Sequence, residues 1–124
     1  MEQQRKIIFF RTYFEDFVNS LSTGVREKIA YVLFTITVSP RIPSKFFEHL
    51  TGTDGLYVIR VEYESNIYRI FCCFDHGMLV VLFNGFQKKT RKTPRSEIDK
   101  ALKIKEEYFK SKREGIEKWK RERT

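Results

Sequence analysis

Two arginines and one glutamate on neighbouring predicted strands have the chemistry to bind a phosphate group. Arg60 and Glu62 alternate along one strand and therefore share a face, and Arg69 lies on the next strand. A turn at residues 65–66 would pair Glu62 with Arg69 across the two strands. Guanidinium groups match phosphate oxygens, and a carboxylate can orient them. The same residues could equally form a solvated ion pair, and spacing does not separate the two hypotheses.

A strongly basic loop follows this region. Residues 87–95 contain no acidic side chain and five basic ones, namely Lys88, Lys89, Arg91, Lys92 and Arg95. The whole net charge of +8 comes from residues 87–124, which carry fifteen basic and seven acidic side chains. Residues 1–86 carry nine of each. This asymmetry favours a polyanionic partner, with nucleic acid ahead of an anionic membrane or an acidic protein.

The composition indicates one domain and limits the kinds of site. A chain of 124 residues with 41% hydrophobic content can bury a conventional core. It has neither an apolar run long enough to span a membrane nor the order of a signal peptide, so we expect a cytoplasmic protein. Cys72 and Cys73 are adjacent in a strand and are expected to be reduced thiols. The two histidines, His49 and His76, are too isolated to suggest a metal site.

The first half of the chain predicts one strand and a helical hairpin. Residues 6–10 form a continuous apolar run, which is typical of a strand covered on both faces and near the centre of a sheet. A capping box at residues 12–15 predicts the start of a helix. Residues 22–24 end that helix and cap a second one. Residues 44–50 are predicted to add one or two further helical turns.

The second half predicts three antiparallel strands and a final helix, which completes an α+β fold. Polar interruptions at residues 65–66 and 75–77 divide the apolar runs as hairpin turns do. The alternating set assigned to the core is Tyr57, Ile59, Val61 and Tyr63. The strand at residues 78–86 is apolar on both faces and should lie inside the sheet, next to the first strand. Thr93 and Pro94 cap the last helix, whose apolar pattern decays after residue 110.

Three segments, GTDGLYVIRV, NIYRIFCCF and LFNGFQKKTRKTPRSEIDKA, together with this order of elements, resemble the RelE/ParE toxin superfamily and in particular its HigB-like, phage-derived branch. The resemblance covers roughly residues 6–110. It implies a single RelE-like toxin domain over residues 1–110. Residues 111–124 would be a basic extension, either a continuing helix or a disordered tail that folds on a partner.

The resemblance also implies a function. The chain would be the toxin of a type II toxin–antitoxin system, neutralised by a cognate antitoxin that is often a helix-turn-helix protein. It would bind the ribosome and cleave mRNA there. We hypothesise that cleavage proceeds by attack of a ribose 2′-hydroxyl on the adjacent phosphate, without a metal or a small-molecule cofactor. Family active sites consist of arginines and lysines on the sheet face and the adjoining loop, which here correspond to Arg60, Arg69, Lys88 and Lys89.

Further roles follow from these expectations. Glu62 would orient an arginine or act as a weak base. The groups expected to hold the RNA backbone are Arg91, Lys92 and Arg95, and Tyr108 corresponds loosely to a residue near the last helix of some members. Two other functions stay open: a ParE-like inhibitor of DNA gyrase that is not an enzyme, and a basic nucleic-acid-binding module without toxicity.

Overall fold

A five-stranded sheet organises residues 2–123, which are the residues that the computed structural model describes. The strands are β1 (Lys6–Phe9), β2 (Phe47–His49), β3 (Tyr57–Tyr63), β4 (Asn66–Asp75) and β5 (Leu79–Lys88), and the helices are α1 (Tyr13–Asn19), α2 (Thr23–Val38) and α3 (Arg95–Arg123). The strand order is β1-β5-β4-β3-β2, in which β1 runs parallel to β5 and all other neighbours are antiparallel. The predicted α+β class, the helical hairpin and the three-stranded meander are confirmed.

Both faces of the sheet are buried, each by a different helical layer. On one face, α1 and α2 pack against Ile59, Val61 and their neighbours. On the other face, Ala101 and Ile104 of α3 cover a second cluster that includes Leu56 and Val58. The expected core set therefore accounts for only one of the two faces, because alternation along β3 cannot reveal a helix that arrives from 40 residues further along the chain.

The first strand lies at an edge of the sheet, so the prediction of a near-central strand was wrong. β1 occupies one end of the strand order beside β5, as expected for its neighbour, and Phe9 is 48% exposed. The continuous apolar run has another cause. Ile7 packs into the cluster beneath α1 and α2, and Ile8 packs into the cluster beneath α3. An edge strand between two helical layers needs apolar residues on both faces as much as a central strand does.

Residues 44–46 form a hydrogen-bonded turn, but the predicted helical structure does not continue to residue 50, because the strand β2 occupies residues 47–49. Phe47 pairs with Ile59, and His49 pairs with Tyr57. The Phe47 ring stacks on Tyr57 with 5.1 Å between the ring centroids. Three residues are too few to show the alternation that predicts a strand. β2 forms because its backbone groups find hydrogen-bond partners at the free edge of β3.

The predicted caps at the starts of α1 and α2 have different outcomes. At the start of α1 the Thr12 hydroxyl donates to an Asp16 carboxylate oxygen at 3.1 Å and does not cap the helix, so the predicted capping box was wrong. The predicted cap of α2 is confirmed, since Ser22 Oγ accepts a hydrogen bond from the backbone N–H of Val25.

The hairpin between β3 and β4 turns one residue earlier than predicted. Glu64 and Ser65 have φ values of 48° and 66°, the positive pair that a type I′ turn requires. The register therefore pairs Arg60 with Arg69 and Glu62 with Ile67, and the predicted Glu62–Arg69 pair was wrong. Because the register differs by two residues, Arg60, Glu62 and Arg69 still share one face of the sheet.

The last helix extends unbroken to Arg123, so residues 111–123 are helical, while a domain boundary at residue 110 stays a prediction. A buried carboxylate anchors this helix to the turn between β4 and β5. Tyr108 donates its hydroxyl proton to Asp75 Oδ2 at 2.6 Å, and Lys112 Nζ donates to both Asp75 oxygens at 2.9 and 2.8 Å. None of the helices within residues 2–123 is long and apolar enough to cross a membrane.

The anchor has a consequence for pH. Burial by itself raises the pKa of Asp75, but the hydrogen bonds from Lys112 and Tyr108 outweigh burial and hold that pKa below its usual value. A carboxylate with a lowered pKa stabilises the folded state above its unfolded-state pKa, and this contribution is lost as the pH falls through the folded-state pKa.

We predict that Asp75→Asn lowers the free energy of unfolding by about 1.5–3 kcal/mol at neutral pH, because an amide cannot replace the charged acceptor. The difference from the wild type should shrink in acid, once Asp75 itself is protonated in the folded protein. Urea denaturation across a pH series measures both effects. Asp54→Asn, at an exposed loop carboxylate, is the control, and a difference that does not change with pH would contradict the role of the charge.

Candidate phosphate-binding site

Three cationic side chains from three adjacent strands share the face of the sheet that α3 covers only in part. Arg60 on β3 lies directly opposite Arg69 on β4, and Lys88 on β5 lies opposite Ile67, two residues along β4 from Arg69. On this face, Leu56 just before β3 and Val58 on β3 are fully buried in the cluster that α3 covers, whereas the Arg60 side chain is 34% exposed. The cations therefore lie where the sheet face emerges from under the helix.

The two arginines are held close together by the sheet. The backbone N–H of Arg60 donates to the Phe46 carbonyl at 2.8 Å, which points it away from β4. Arg60 and Arg69 are therefore a non-hydrogen-bonded pair, in which the Cα atoms approach to about 4.5 Å and the side chains are closest. Like charges placed directly opposite each other are destabilising unless an anion compensates for them.

Two carboxylates on this face provide part of that compensation. Glu48 Oε1 lies 2.9 Å from Arg69 Nη1, and Glu62 Oε2 lies 3.8 Å from Arg60 Nη1. The first contact is a hydrogen bond and the second is a looser ion pair. Glu48 was missed from the sequence because its strand, β2, was not predicted. No signal in the sequence identifies Glu48 as a partner of the arginines.

Arg69 is unusually buried for a side chain with a permanent charge. Only 10% of its side chain is exposed, and within residues 2–123 its Nε has no hydrogen-bond partner. A buried donor without a partner costs about 1–3 kcal/mol. The guanidinium is thus largely enclosed by the protein, and Glu48 is the carboxylate that pairs with it.

Lys88 responds electrostatically to both arginines. Partial burial lowers the pKa of the Lys88 ammonium, the charges of Arg69 and Arg60 lower it further, and only Glu48 acts in the opposite direction. Lys88 therefore gives up its proton more readily than an ordinary surface lysine. An amine with a lowered pKa next to two arginines can neutralise a phosphate and can also donate a proton to an oxygen that leaves it.

A β-bulge in β5 precedes the segment of the strand that carries Lys88. The pairing of β4 with β5 shifts between Ile70 and Cys72, so that two residues of β5, Phe83 and Asn84, lie opposite the single residue Phe71 of β4. The Asn84 amide donates to Glu97 Oε1 at 3.5 Å near the start of α3. After the bulge, Phe86 stacks on Phe71 and Lys88 returns to the face of the arginines.

The basic loop extends the cationic surface beside the arginines. Lys88, Lys89 and Arg91 line an open groove of about 490 Å³ together with the hairpin residues 65–67. Lys92 is exposed further along the same loop. The structure thus brings the predicted pair of lysines and Arg91 together at one end of the sheet.

Two predicted RNA-binding residues are engaged elsewhere. Arg95 Nε lies 3.0 Å from Asp99 Oδ1 within the first turns of α3. Tyr108 binds Asp75, which is six residues from Arg69 along β4, a distance of about 20 Å. Tyr108 therefore anchors α3 and does not join the arginines.

The sequence matches, over residues 16–106, the family model described as "Phage derived protein Gp49-like (DUF891)". The chain belongs to this Gp49-like family. The family is associated with RelE- and HigB-like toxins of toxin–antitoxin systems. No curated protein sequence matches the chain significantly.

Most of the candidate site residues of the Gp49-like protein lie within the region that matches the family model. Arg60, Arg69, Lys88 and Lys89 all lie within residues 16–106, as does Glu48. Tyr108 and the C-terminal part of α3 lie outside it. Among residues 2–123, no group of three or more His, Cys, Asp and Glu side chains could hold a metal ion.

We predict that the pKa of Lys88 responds with opposite signs to two neighbouring substitutions in the Gp49-like protein. Arg69→Gln removes a positive charge and should raise this pKa, whereas Glu48→Gln removes a negative charge and should lower it further. NMR titration of the lysine side-chain signals measures both shifts. Glu64→Gln, at the exposed hairpin turn, is the control, and equal pKa values in all four proteins would refute the electrostatic coupling.

Proposed function

We propose that this Gp49-like protein is the toxin of a type II toxin–antitoxin system and that it is a HigB-like endoribonuclease which cleaves mRNA on the ribosome. The observation that carries the proposal is the cluster of Arg60, Arg69 and Lys88 on one sheet face, where burial and the charges of the two arginines lower the pKa of Lys88. The family's association with RelE- and HigB-like toxins supports the same activity.

In the proposed reaction the RNA supplies its own nucleophile. A ribose 2′-hydroxyl oxygen attacks the adjacent phosphorus, and the bond from phosphorus to the 5′-oxygen of the next nucleotide breaks. The products are a 2′,3′-cyclic phosphate and a free 5′-hydroxyl. Arg60 and Arg69 bind the non-bridging oxygens and stabilise the negative charge that develops there, which is usually the largest contribution to such catalysis.

Two proton transfers complete the proposed step. Lys88 donates a proton to the leaving 5′-oxygen, a role that its lowered pKa favours. Glu62 accepts the proton of the 2′-hydroxyl. It suits this role better than Glu48, because its contact with Arg60 is 3.8 Å long whereas Glu48 is hydrogen-bonded to Arg69 at 2.9 Å. Lys89 adds positive charge next to Lys88 without being part of the proton transfer.

The remaining basic side chains bind RNA backbone in this proposal. Lys89 and Arg91 line the groove beside the hairpin, and Lys92 is exposed further along the loop. Arg95 remains 75% exposed although it pairs with Asp99, and would add positive charge at the start of α3. Contacts of this kind release counterions, so affinity should fall steeply as salt rises. An exposed cationic face also suits an antitoxin, because an acidic segment of a cognate partner that covers the face would block RNA. The protein would act in the cytoplasm, where ribosomes and antitoxin are found.

We predict that Arg60→Ala and Arg69→Ala each reduce mRNA cleavage roughly 100- to 1,000-fold, the usual cost of losing one such charge-stabilising donor. Cleavage is measured by mapping new 5′ ends of mRNA in cells that express each variant, and the ends should carry a 5′-hydroxyl. Arg41→Ala, at an exposed arginine in the loop between α2 and β2, is the matched control.

Other outcomes identify the competing functions. Growth arrest with intact mRNA and a DNA damage response would replace the nuclease with gyrase inhibition. Normal growth on expression of the wild type would leave a nucleic-acid-binding module without toxicity. Circular dichroism of each purified variant separates loss of cleavage from loss of fold.

A further inference from the structure

A second cationic depression lies on the other side of Arg60, away from Lys88 and the basic loop. It has a volume of about 260 Å³ and is lined by Lys28, Tyr31, Lys45, Phe46, Arg60 and Glu62. Arg60 thus belongs both to the cluster on the sheet face and to this depression. The proposed reaction leaves Lys28, Tyr31, Lys45 and Phe46 without a role.

The depression exists because β2 is shorter than β3. The pairing of β2 with β3 begins at Phe47, and just before it the Phe46 carbonyl accepts the N–H of Arg60. The N–H of Glu62 points to the same side of β3 as that of Arg60, at a level that β2 does not reach. Helix α2, which packs on the opposite face of the sheet, presents Lys28 and Tyr31 beside this edge.

The lining combines positive charge with flat aromatic surface. Three cations and one carboxylate surround two rings, and each ring lies next to a lysine. Lys28 Nζ is 5.4 Å from the centre of the Tyr31 ring, and Lys45 Nζ is 4.9 Å from the centre of the Phe46 ring. Tyr31 is 56% exposed. Aromatic rings for stacking and cations that follow a backbone are the two features of sites that bind single-stranded nucleic acid.

We infer that this depression is a nucleotide subsite, in which Tyr31 stacks on one base of a single-stranded RNA and Lys28 and Lys45 bind the phosphate of the same nucleotide. The inference rests on the proposed function, because Arg60 joins the subsite to the phosphate that is cleaved. The stacked nucleotide is therefore a direct neighbour of the cleavage point. A volume of about 260 Å³ is of the size of one unstacked nucleotide.

The subsite gives the RNA a defined path. One neighbour of the cleaved phosphate lies against α2, and the other runs along the groove formed by Lys88, Lys89 and Arg91. The paired arginines lie between these two regions. A base that must leave its stack to reach Tyr31 also turns its sugar, which helps to align the 2′-hydroxyl with the phosphorus.

The test is equilibrium binding of a fluorescent single-stranded RNA of roughly ten nucleotides, fully 2′-O-methylated so that it cannot be cleaved. Tyr31→Ala should weaken binding roughly 5- to 150-fold, the range for loss of one stacked base. Phe34→Ala is the matched control, because Phe34 lies on the same helix, is 51% exposed and does not line the depression. Equal affinities of the two variants would overturn the subsite.

RNAs with a single abasic position, moved along the strand, identify the stacked nucleotide. At one position the wild type should bind as weakly as Tyr31→Ala binds intact RNA, and Tyr31→Ala should lose nothing further there. Lys28→Gln should reduce the steepness of the salt dependence by about 0.7, the value for one contact to single-stranded phosphate. Losses that are simply additive at every abasic position would contradict stacking on Tyr31.

Arg69→Ala separates failure of the subsite from failure of the proposed function. If binding depends on Arg69 but not on Tyr31, the subsite is wrong and the nuclease proposal stands. If Arg69→Ala cleaves mRNA as fast as the wild type, the proposed function fails, whatever the effect of Tyr31→Ala on binding. If the wild type does not bind the RNA, the subsite fails. If Tyr31→Ala and Arg69→Ala each weaken binding while Phe34→Ala does not, both are supported.

Discussion

Arg60 and Arg69 lie directly opposite each other on adjacent strands, and the electrostatic cost of this pair shapes everything around it. The sheet fixes the Cα atoms of this non-hydrogen-bonded pair close together, so the two guanidiniums can separate only through their side-chain conformations. The carboxylates of Glu48 and Glu62 offset part of the repulsion between the arginines. Burial and the remaining positive charge of the arginines lower the pKa of Lys88. An arriving phosphate would complete the compensation, so the energy that favours binding is already present in the folded protein.

The sheet tolerates the repulsion between the arginines because helices pack against both of its faces in other places. Helices α1 and α2 bury one face completely enough to hold the strands in register. Helix α3 buries only part of the other, and the Asp75 anchor fixes the helix at the end of β4 that is far from the arginines. The strands beneath the open remainder of this face are therefore held in place by packing elsewhere, and a backbone that is already ordered loses little entropy when an anion binds.

The short strand β2 connects these features. It supplies Glu48 to Arg69, and where its pairing begins at Phe47 the edge of β3 beyond Arg60 is left free for the depression lined by Tyr31. A longer strand would have covered that edge, and no strand at all would have left Arg69 without its carboxylate. Three residues thus decide both how the arginines are neutralised and where a flanking nucleotide can lie.

The sequence by itself determined the α+β class, the meander, the interior position of β5 and the shared face of Arg60, Glu62 and Arg69. These follow from period-two alternation and turn residues, and alternation survives a register error of two residues. Only the tertiary structure decided that Arg60 faces Arg69, that Glu48 joins them, that Tyr108 turns to Asp75 and that β1 lies at an edge. Each of these depends on contacts between residues far apart in the chain, through a turn of positive φ, a three-residue strand or a helix docked from a distance. Such contacts are selected by the packing of the whole domain, and no local pattern records them.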